Sequence, residues 1–244
     1  QGPTSHDVVR VARRGLGTSR VGHTGTLDPL ATGVLALVVG RATRLAQFLT
    51  GAEKTYVATV VFGRATTTYD ADGETTRETG LVPDPADVAA ALEALTGRFE
   101  QTPPAYSAKK IGGEPAHRLA RRDAAVLPNP VPVTLHEAGL EHAEGAAVRV
   151  RLRVSSGFYV RSLAHDLGER LGTSAHLGAL RREAAGRFTL ADAVTLDVIA
   201  GGGPKAAAGL IGLDRLMPEL PVAVLSEMDV ERVRHGQTVR ATLR

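Results

Sequence analysis

Between Gly22 and Leu35 the chain reads GHTGTLDPLATGVL, and Asp28 is the one charged residue in that stretch. Its neighbours are types that hold a side chain in place. Gly22, Gly25 and Gly33 permit tight turns or a close approach of backbone to a ligand, and Pro29 fixes the chain direction directly after the acid. Thr24, Thr26 and Thr32 can bond to nearby main chain and keep such a loop in one shape. An Asp-Pro pair also suits a helix cap or an ordinary turn, so the residues around it have to decide. Other chemistries are poorly supplied. With no cysteine there are no thiolate metal sites and no disulfides, and the eight histidines are scattered without metal-ligand spacing. No Gly-x-Ser-x-Gly elbow is present for a serine hydrolase. What remains is a carboxylate, phenol and guanidinium set: Asp28, Tyr56, Tyr159 and Arg161. Taken alone, both tyrosines read better as core residues with a satisfied hydroxyl.

The elements that must position these groups follow from periodicity and punctuation. Ser5 is placed to cap a helix running to about Arg14, with Val8, Val9 and Ala12 inward and Gly15 as its stop. Val34 to Val39 reads as a buried strand anchoring the Asp loop, and Ala42 to Leu49 as a helix closed by Gly51. Lys54 to Phe62 alternates as a strand covered on both faces, with Tyr56, Ala58, Val60 and Phe62 on one side. The polar GRATTTYDADGE is expected on the surface. Asp84 and Pro85 open a helix with Val88, Leu92 and Leu95 inward. QTPPAYSAKKIGGEPAHRLARRD reads as a protruding hairpin or loop followed by a short helix near Ala116 to Arg122. Strands at Val131 to Leu140 and Ala147 to Val154 come next, then a helix starting near Phe158 with Tyr159 and Arg161 at its entrance. AGGGPKAAAGL reads as a flexible connector lacking the order of a phosphate loop, and the last residues as strand, short helix and strand.

At 244 residues and 43% hydrophobic content, the chain can build one large domain or a domain and a half. The net charge is only +3, but it is unevenly spread. Arg10, Arg13, Arg14, Arg20, Arg41 and Arg44 face only Asp7 and Asp28 in the first 44 residues, and Lys109, Lys110, Arg118, Arg121 and Arg122 face Glu114 and Asp123 further on. Two basic segments around a more acidic middle could line a phosphate track, or could be solvated helix faces. No run approaches bilayer length and no targeting segment is evident, so a cytoplasmic protein is expected, with no membrane partner.

Taken together, GHTGTLDPLATGVL, GRATR, KTYVATVVFG, TYDADG, SSGFYVRSLAHDLG and AHLGALRR resemble the TruB family of tRNA pseudouridine synthases in order and spacing, from about Gly2 to Ala193. GPTSHDVV resembles the tail of that family's opening motif, without the preceding Lys-Pro. The resemblance implies an α/β (α+β type) fold: a mixed, largely antiparallel sheet with a central RNA-binding cleft. It divides the chain into a catalytic domain over 1–199 with a basic RNA-gripping insertion at about 104–126, a linker and domain edge at 200–217, and a partial C-terminal domain over 218–244. It further implies a cofactor-free, metal-free isomerase converting the T-loop uridine of tRNA, position 55, to pseudouridine. In that reading Asp28 is the catalytic aspartate, Arg161 pairs with it, and Tyr56 stacks on the flipped base. Tyr159 and Leu180 wall the pocket, His23 touches the RNA where the base leaves its stack, and Lys109, Arg118 and Arg121 grip the backbone of the T-arm. No obligate protein partner is expected. A guide-dependent synthase subunit and a non-catalytic RNA-binding folding helper are the alternatives.

Overall fold

In the computed structural model the described residues are 2–107, 109–116, 119, 127–240 and 242–243. Arg118 and Arg121, and most of the expected short helix at 116–122, lie outside them. Helix α1 (Ser5–Gly15) precedes β1 (Val21–His23), β2 (Ala31–Gly33) and β3 (Leu37–Val39); a 3-10 turn and α2 (Ala46–Thr50) lead to β4 (Lys54–Phe62). A hairpin of β5 (Arg64–Thr66) and β6 (Thr75–Glu78), helix α3 (Pro85–Ala94), β7 (Gly97–Gln101) and a small hairpin of β8 (Lys110–Ile111) and β9 (Glu114–Pro115) come next. Then follow β10 (Val131–Glu144), β11 (Ala147–Val154), α4 (Val160–Arg170), β12 (Ala175–Ala185) and β13 (Phe188–Thr189). The C-terminal part holds α5 (Leu196–Gly201), α6 (Gly203–Ala208), β14 (Ala223–Val224), α7 (Glu227–Arg234) and β15 (Thr242–Leu243).

The main sheet runs β13-β12-β4-β11-β10-β7, antiparallel throughout, and β2 adds to β12 in parallel. Alternation decides its two faces. Tyr56, Ala58, Val60 and Phe62 of β4, with Val148, Val150, Leu152 and Val154 of β11, bury one face under Val88 and Leu92 of α3 and Leu163 and Leu167 of α4. The opposite face carries Arg151 paired with Glu141 and Glu183, and Arg153 paired with Glu53 and Glu137. It is therefore half-covered by long polar side chains, where both faces were expected to be closed.

Four expectations are corrected. The cap of α1 is Thr4, whose hydroxyl accepts from the Asp7 amide in a reciprocal box, while Ser5 turns inward. The strand expected over 34–39 is shorter, because the chain first bonds to residue 182 at Val34 and only pairs with β1 from Leu37. The 200–210 segment is mostly helical, with Pro204 in the first turn of α6. The polar loop after β5 is largely at the surface but turns one side chain inward, Asp70 being buried, as is Thr66 at the end of β5.

Candidate active site

Asp28 sits in a bight of chain between β1 and β2, closed by the Ala31 amide donating to the Asp28 carbonyl at 2.9 Å. Three attachments fix the bight. The Ser5 hydroxyl, buried on α1, donates to the Leu27 carbonyl at 3.0 Å and accepts from the Leu27 amide at 2.8 Å. The Gly2 amide donates to the Pro29 carbonyl at 3.1 Å. On the other side the loop enters the sheet, with Leu180 opposite Ala31 and Arg182 opposite Gly33.

Arg161, the second residue of α4, meets this loop with its planar fork. Its Nε donates to Asp28 Oδ2 at 2.9 Å and a terminal nitrogen to Oδ1 at 3.2 Å, a two-oxygen pairing of the strong, charge-assisted kind. The remaining donors are used as well: the carbonyls of Thr68 and Tyr106 accept at 3.2 and 3.1 Å, and a carboxylate oxygen of Asp70 lies 3.5 Å away. A guanidinium has five N–H groups, and this one makes four hydrogen bonds and an ion pair. The Arg161 side chain is 7% exposed and that of Asp28 29%, so the acid opens outward from a buried base.

The loop between β5 and β6 supplies the second acid. Asp70 is bound by the Thr68 hydroxyl and the Asp72 amide, and the loop is stitched to β12 by the Leu177 amide donating to Tyr69 and the Ala71 amide donating to Leu177. Tyr69 has a left-handed backbone, φ 62°, unusual for a bulky residue. Its ring stacks on His165 of α4 at 4.0 Å, which holds the turn in place.

Tyr56 projects from the middle of β4 and is 8% exposed. Burial pushes its hydroxyl above the ordinary tyrosine range, opposed by the guanidinium of Arg182 beside it, while Asp28 adds to the upward push. Tyr159, the N-cap residue of α4, is likewise pushed up by burial, opposed by the Ser107 hydroxyl and Arg161. Its backbone is fixed by Gln101, which both accepts from its amide at 2.8 Å and donates to its carbonyl at 3.0 Å. Leu180 is buried in the main core, against which Leu27, Leu30 and Ala31 also pack, and it stands opposite Ala31 in the pairing of β12 with β2. His23, at the end of β1, is held below its ordinary value by burial, then by Arg182 and His6, so its ring is neutral at neutral pH.

The structure therefore brings Asp28 and Arg161 into direct contact and sets Tyr56 and Tyr159 within reach of the Asp28 charge, while Leu180 lies opposite Ala31 at the far end of the Asp28 loop and His23 ends the strand that leads into it. Lys109 is exposed, on the segment whose Tyr106 carbonyl touches Arg161. Sequence reasoning missed Asp70, Arg182 and Ser5. Asp70 sits in a polar, turn-rich run and Arg182 in an arginine pair, patterns that read as solvated, whereas Ser5 beside Thr4 reads as a cap. A cavity of about 610 Å³ between α1, β3 and residues 188–216 touches Asp28 but none of Tyr56, Tyr159, Arg161 or Leu180, and is a separate apolar space. Among the described residues no three histidine or acidic side chains are grouped to hold a metal, and no helix is long and apolar enough to cross a membrane.

Comparison with known proteins agrees with this architecture. A protein 44% identical over 99% of this chain and 84% of its own length is the tRNA pseudouridine synthase B of Solibacter usitatus, and that of Thermobifida fusca is 45% identical over 98% of this chain and 83% of its own length. Among solved structures, a chain of the archaeal box H/ACA sRNP Nop10-Cbf5 complex superposes with a TM-score of 0.70 at 25% identity, covering 98% of this chain and 65% of that one. A chain of a Cbf5-Nop10-Gar1 complex gives 0.71 at 28% identity, covering 96% and 64%. Residues 13–160 match the model of the TruB family pseudouridylate synthase N-terminal domain, and residues 161–202 that of the tRNA pseudouridylate synthase B C-terminal domain. The boundary between the two matches falls between Tyr159 and Arg161, so the carboxylate and the arginine that clasp each other come one from each, and the chain belongs to the TruB family of pseudouridylate synthases.

Proposed function

We propose that this chain is a tRNA pseudouridine synthase, an isomerase acting without a cofactor on the T-loop uridine at position 55. The observation that carries the reading is the clasp of Asp28 by Arg161, its carboxylate 29% exposed, in a chain 44% identical to a tRNA pseudouridine synthase B along nearly its whole length. A uridine stacked in RNA cannot reach such a pocket, so the nucleotide flips out, and the face of Tyr56 replaces the lost stacking, worth about 1 to 3 kcal/mol per base. Leu180 and Tyr159 close the pocket and keep water from the reacting sugar, since a detached uracil must be recaptured and not lost to hydrolysis. Arg161 holds the Asp28 carboxylate by both oxygens for the step in which the bond between N1 and the ribose carbon breaks. After the ring turns, C5 bonds to that carbon, the C5 proton departs and N1 takes one up, so the product is an isomer of the substrate.

The test is conversion of an unmodified tRNA transcript, with no guide RNA and no added protein, by the wild-type chain and by Asp28→Asn. Product at one T-loop uridine, and a loss of more than about 10³-fold in the variant with tRNA still bound, is the expected result. Binding without conversion by the wild-type chain would instead favour a guide-dependent subunit, a reading to which the similarity with chains of H/ACA complexes lends its support.

A further inference from the structure

Arg182 has the largest fully buried side chain of the described residues, at 2% exposure, and no carboxylate among them pairs with it. Its fork is spent on main chain. Nε donates to the Val34 carbonyl at 2.7 Å, and the two terminal nitrogens donate to Thr26 and Gly25 at 3.1 and 3.2 Å. These carbonyls lie on both sides of Asp28, so a single rigid plane pins both feet of the bight. The backbone of residue 182 adds a further tie, its carbonyl accepting from the Val34 amide at 2.8 Å. In register, Arg182 stands between Gly33 of β2 and Tyr56 of β4, and its guanidinium faces the Tyr56 hydroxyl. A buried cation without a counter-ion is a poor way to stabilise a fold. What this one supplies is a common reference for two groups on different strands.

We propose that Arg182 is a positioning residue for isomerisation: by bonding Gly25, Thr26 and Val34 while facing the Tyr56 hydroxyl, it sets the separation of the Asp28 carboxylate from the phenol. The proposal rests on the reading of Asp28 and Tyr56 given above. A lysine retains the charge but has a compact, swinging ammonium that cannot span three carbonyls and a hydroxyl. Misplacement of a reacting group by about 1 Å costs on the order of 10²-fold in rate.

The experiment compares wild type, Arg182→Lys, Tyr56→Phe and the double variant for melting temperature, tRNA affinity and single-turnover rate on bound tRNA, with Asp28→Asn alongside. Arg182→Gln is carried as a second replacement. The expected result is a folded Arg182→Lys with wild-type affinity, a rate lower by at least about 30-fold, and a cost of Tyr56→Phe that shrinks in the Arg182→Lys background. A residue serving only the fold would leave the two costs additive. The proposal is overturned by a rate within about threefold of wild type, by a loss confined to affinity, by additivity, or by failure of both replacements to fold. An active Asp28→Asn overturns the reading of the site itself, whereas an inactive one beside a fully active Arg182→Lys overturns the role of Arg182 alone.

Discussion

Arg161 does at one point what several residues would otherwise share. Its four hydrogen bonds and one ion pair tie Asp28, the turn at Thr68 and Asp70, and the Tyr106 carbonyl to the start of α4. Arg161→Lys keeps the positive charge and loses the fork, leaving buried carbonyls unpaired and the carboxylate held at one oxygen. Each charged hydrogen bond is worth about 1.5 to 3 kcal/mol, and about 1.4 kcal/mol is tenfold in rate. The single-turnover rate of Arg161→Lys should therefore fall by at least about 100-fold, measured on saturating tRNA so that binding does not enter. A variant within about threefold of wild type would show that the fork is not needed. At this scale the sequence was legible in its motifs. Asp28 among glycines and threonines, and Tyr159 and Arg161 at a helix entrance, suit caps, turns and core by residue type alone, and it is the run of motifs resembling the TruB family that singles them out. Asp70 and Arg182 are not singled out, because an acid after TTTY and an arginine in a strand pattern are ordinary on a surface. Only the burial supplied by distant segments shows them to be internal.

At the scale of elements, the parallel pairing of β2 with β12 is a tight join. Gly33 has φ +97°, and a Cβ built there would lie 2.1 Å from the Arg182 carbonyl oxygen, which no rotamer change relieves. Gly17 is also left-handed, φ +61°, but has nothing within 4 Å. Gly33→Ala should cost about 2 to 5 kcal/mol in denaturant unfolding and Gly17→Ala about 1 to 2, the difference being the clash. Equal costs would mean that β2 can lift from β12 freely. The join of β12 to β5 carries a second, pH-dependent term. His176 of β12 is 2% exposed, with Nδ1 2.9 Å from the Arg64 carbonyl. Burial holds its pKa below the ordinary value; Arg64 acts both ways, through its carbonyl and its charge, and Asp70 opposes the shift. The unfolded chain takes up this proton as pH falls through about 6.5 and the folded chain only later, so stability is lost on acidification below that point, by up to about 1.4 kcal/mol per pH unit. Comparing unfolding of wild type and His176→Gln from pH 7.5 to 5.5 should show a shallower loss in the variant. Parallel curves would remove His176 as the cause. Elements were read from sequence wherever alternation or capping was local, as in β4 and α3. The β2 pairing is invisible in ATG, because three residues of no marked preference become a strand only through β12.

For the whole molecule, charge decides how the substrate is met. Arg41 and Arg44 are exposed on the turn before α2, and Lys109 on the segment next to the site. Phosphate contacts release counterions, so tRNA affinity should fall linearly on a log-log plot against salt, with a slope of about 0.9 per duplex phosphate neutralised. Lys109→Glu should lower that slope by about 1 while leaving the rate on bound tRNA within about twofold; an unchanged slope would place Lys109 away from the RNA. The expected contacts at Arg118 and Arg121 lie outside the described residues and would be read by the same plot.

The staple at residue 182 also has a history in time. The carbonyls it holds come 148 to 157 residues earlier in the chain. On a ribosome adding about 5 to 20 residues per second, the Asp28 loop exists for about 8 to 30 s before its arginine has been made. Through that interval the nascent chain has the carboxylate but no finished pocket around it. The enzyme is thus born silent and gains its site only when β12 closes the sheet.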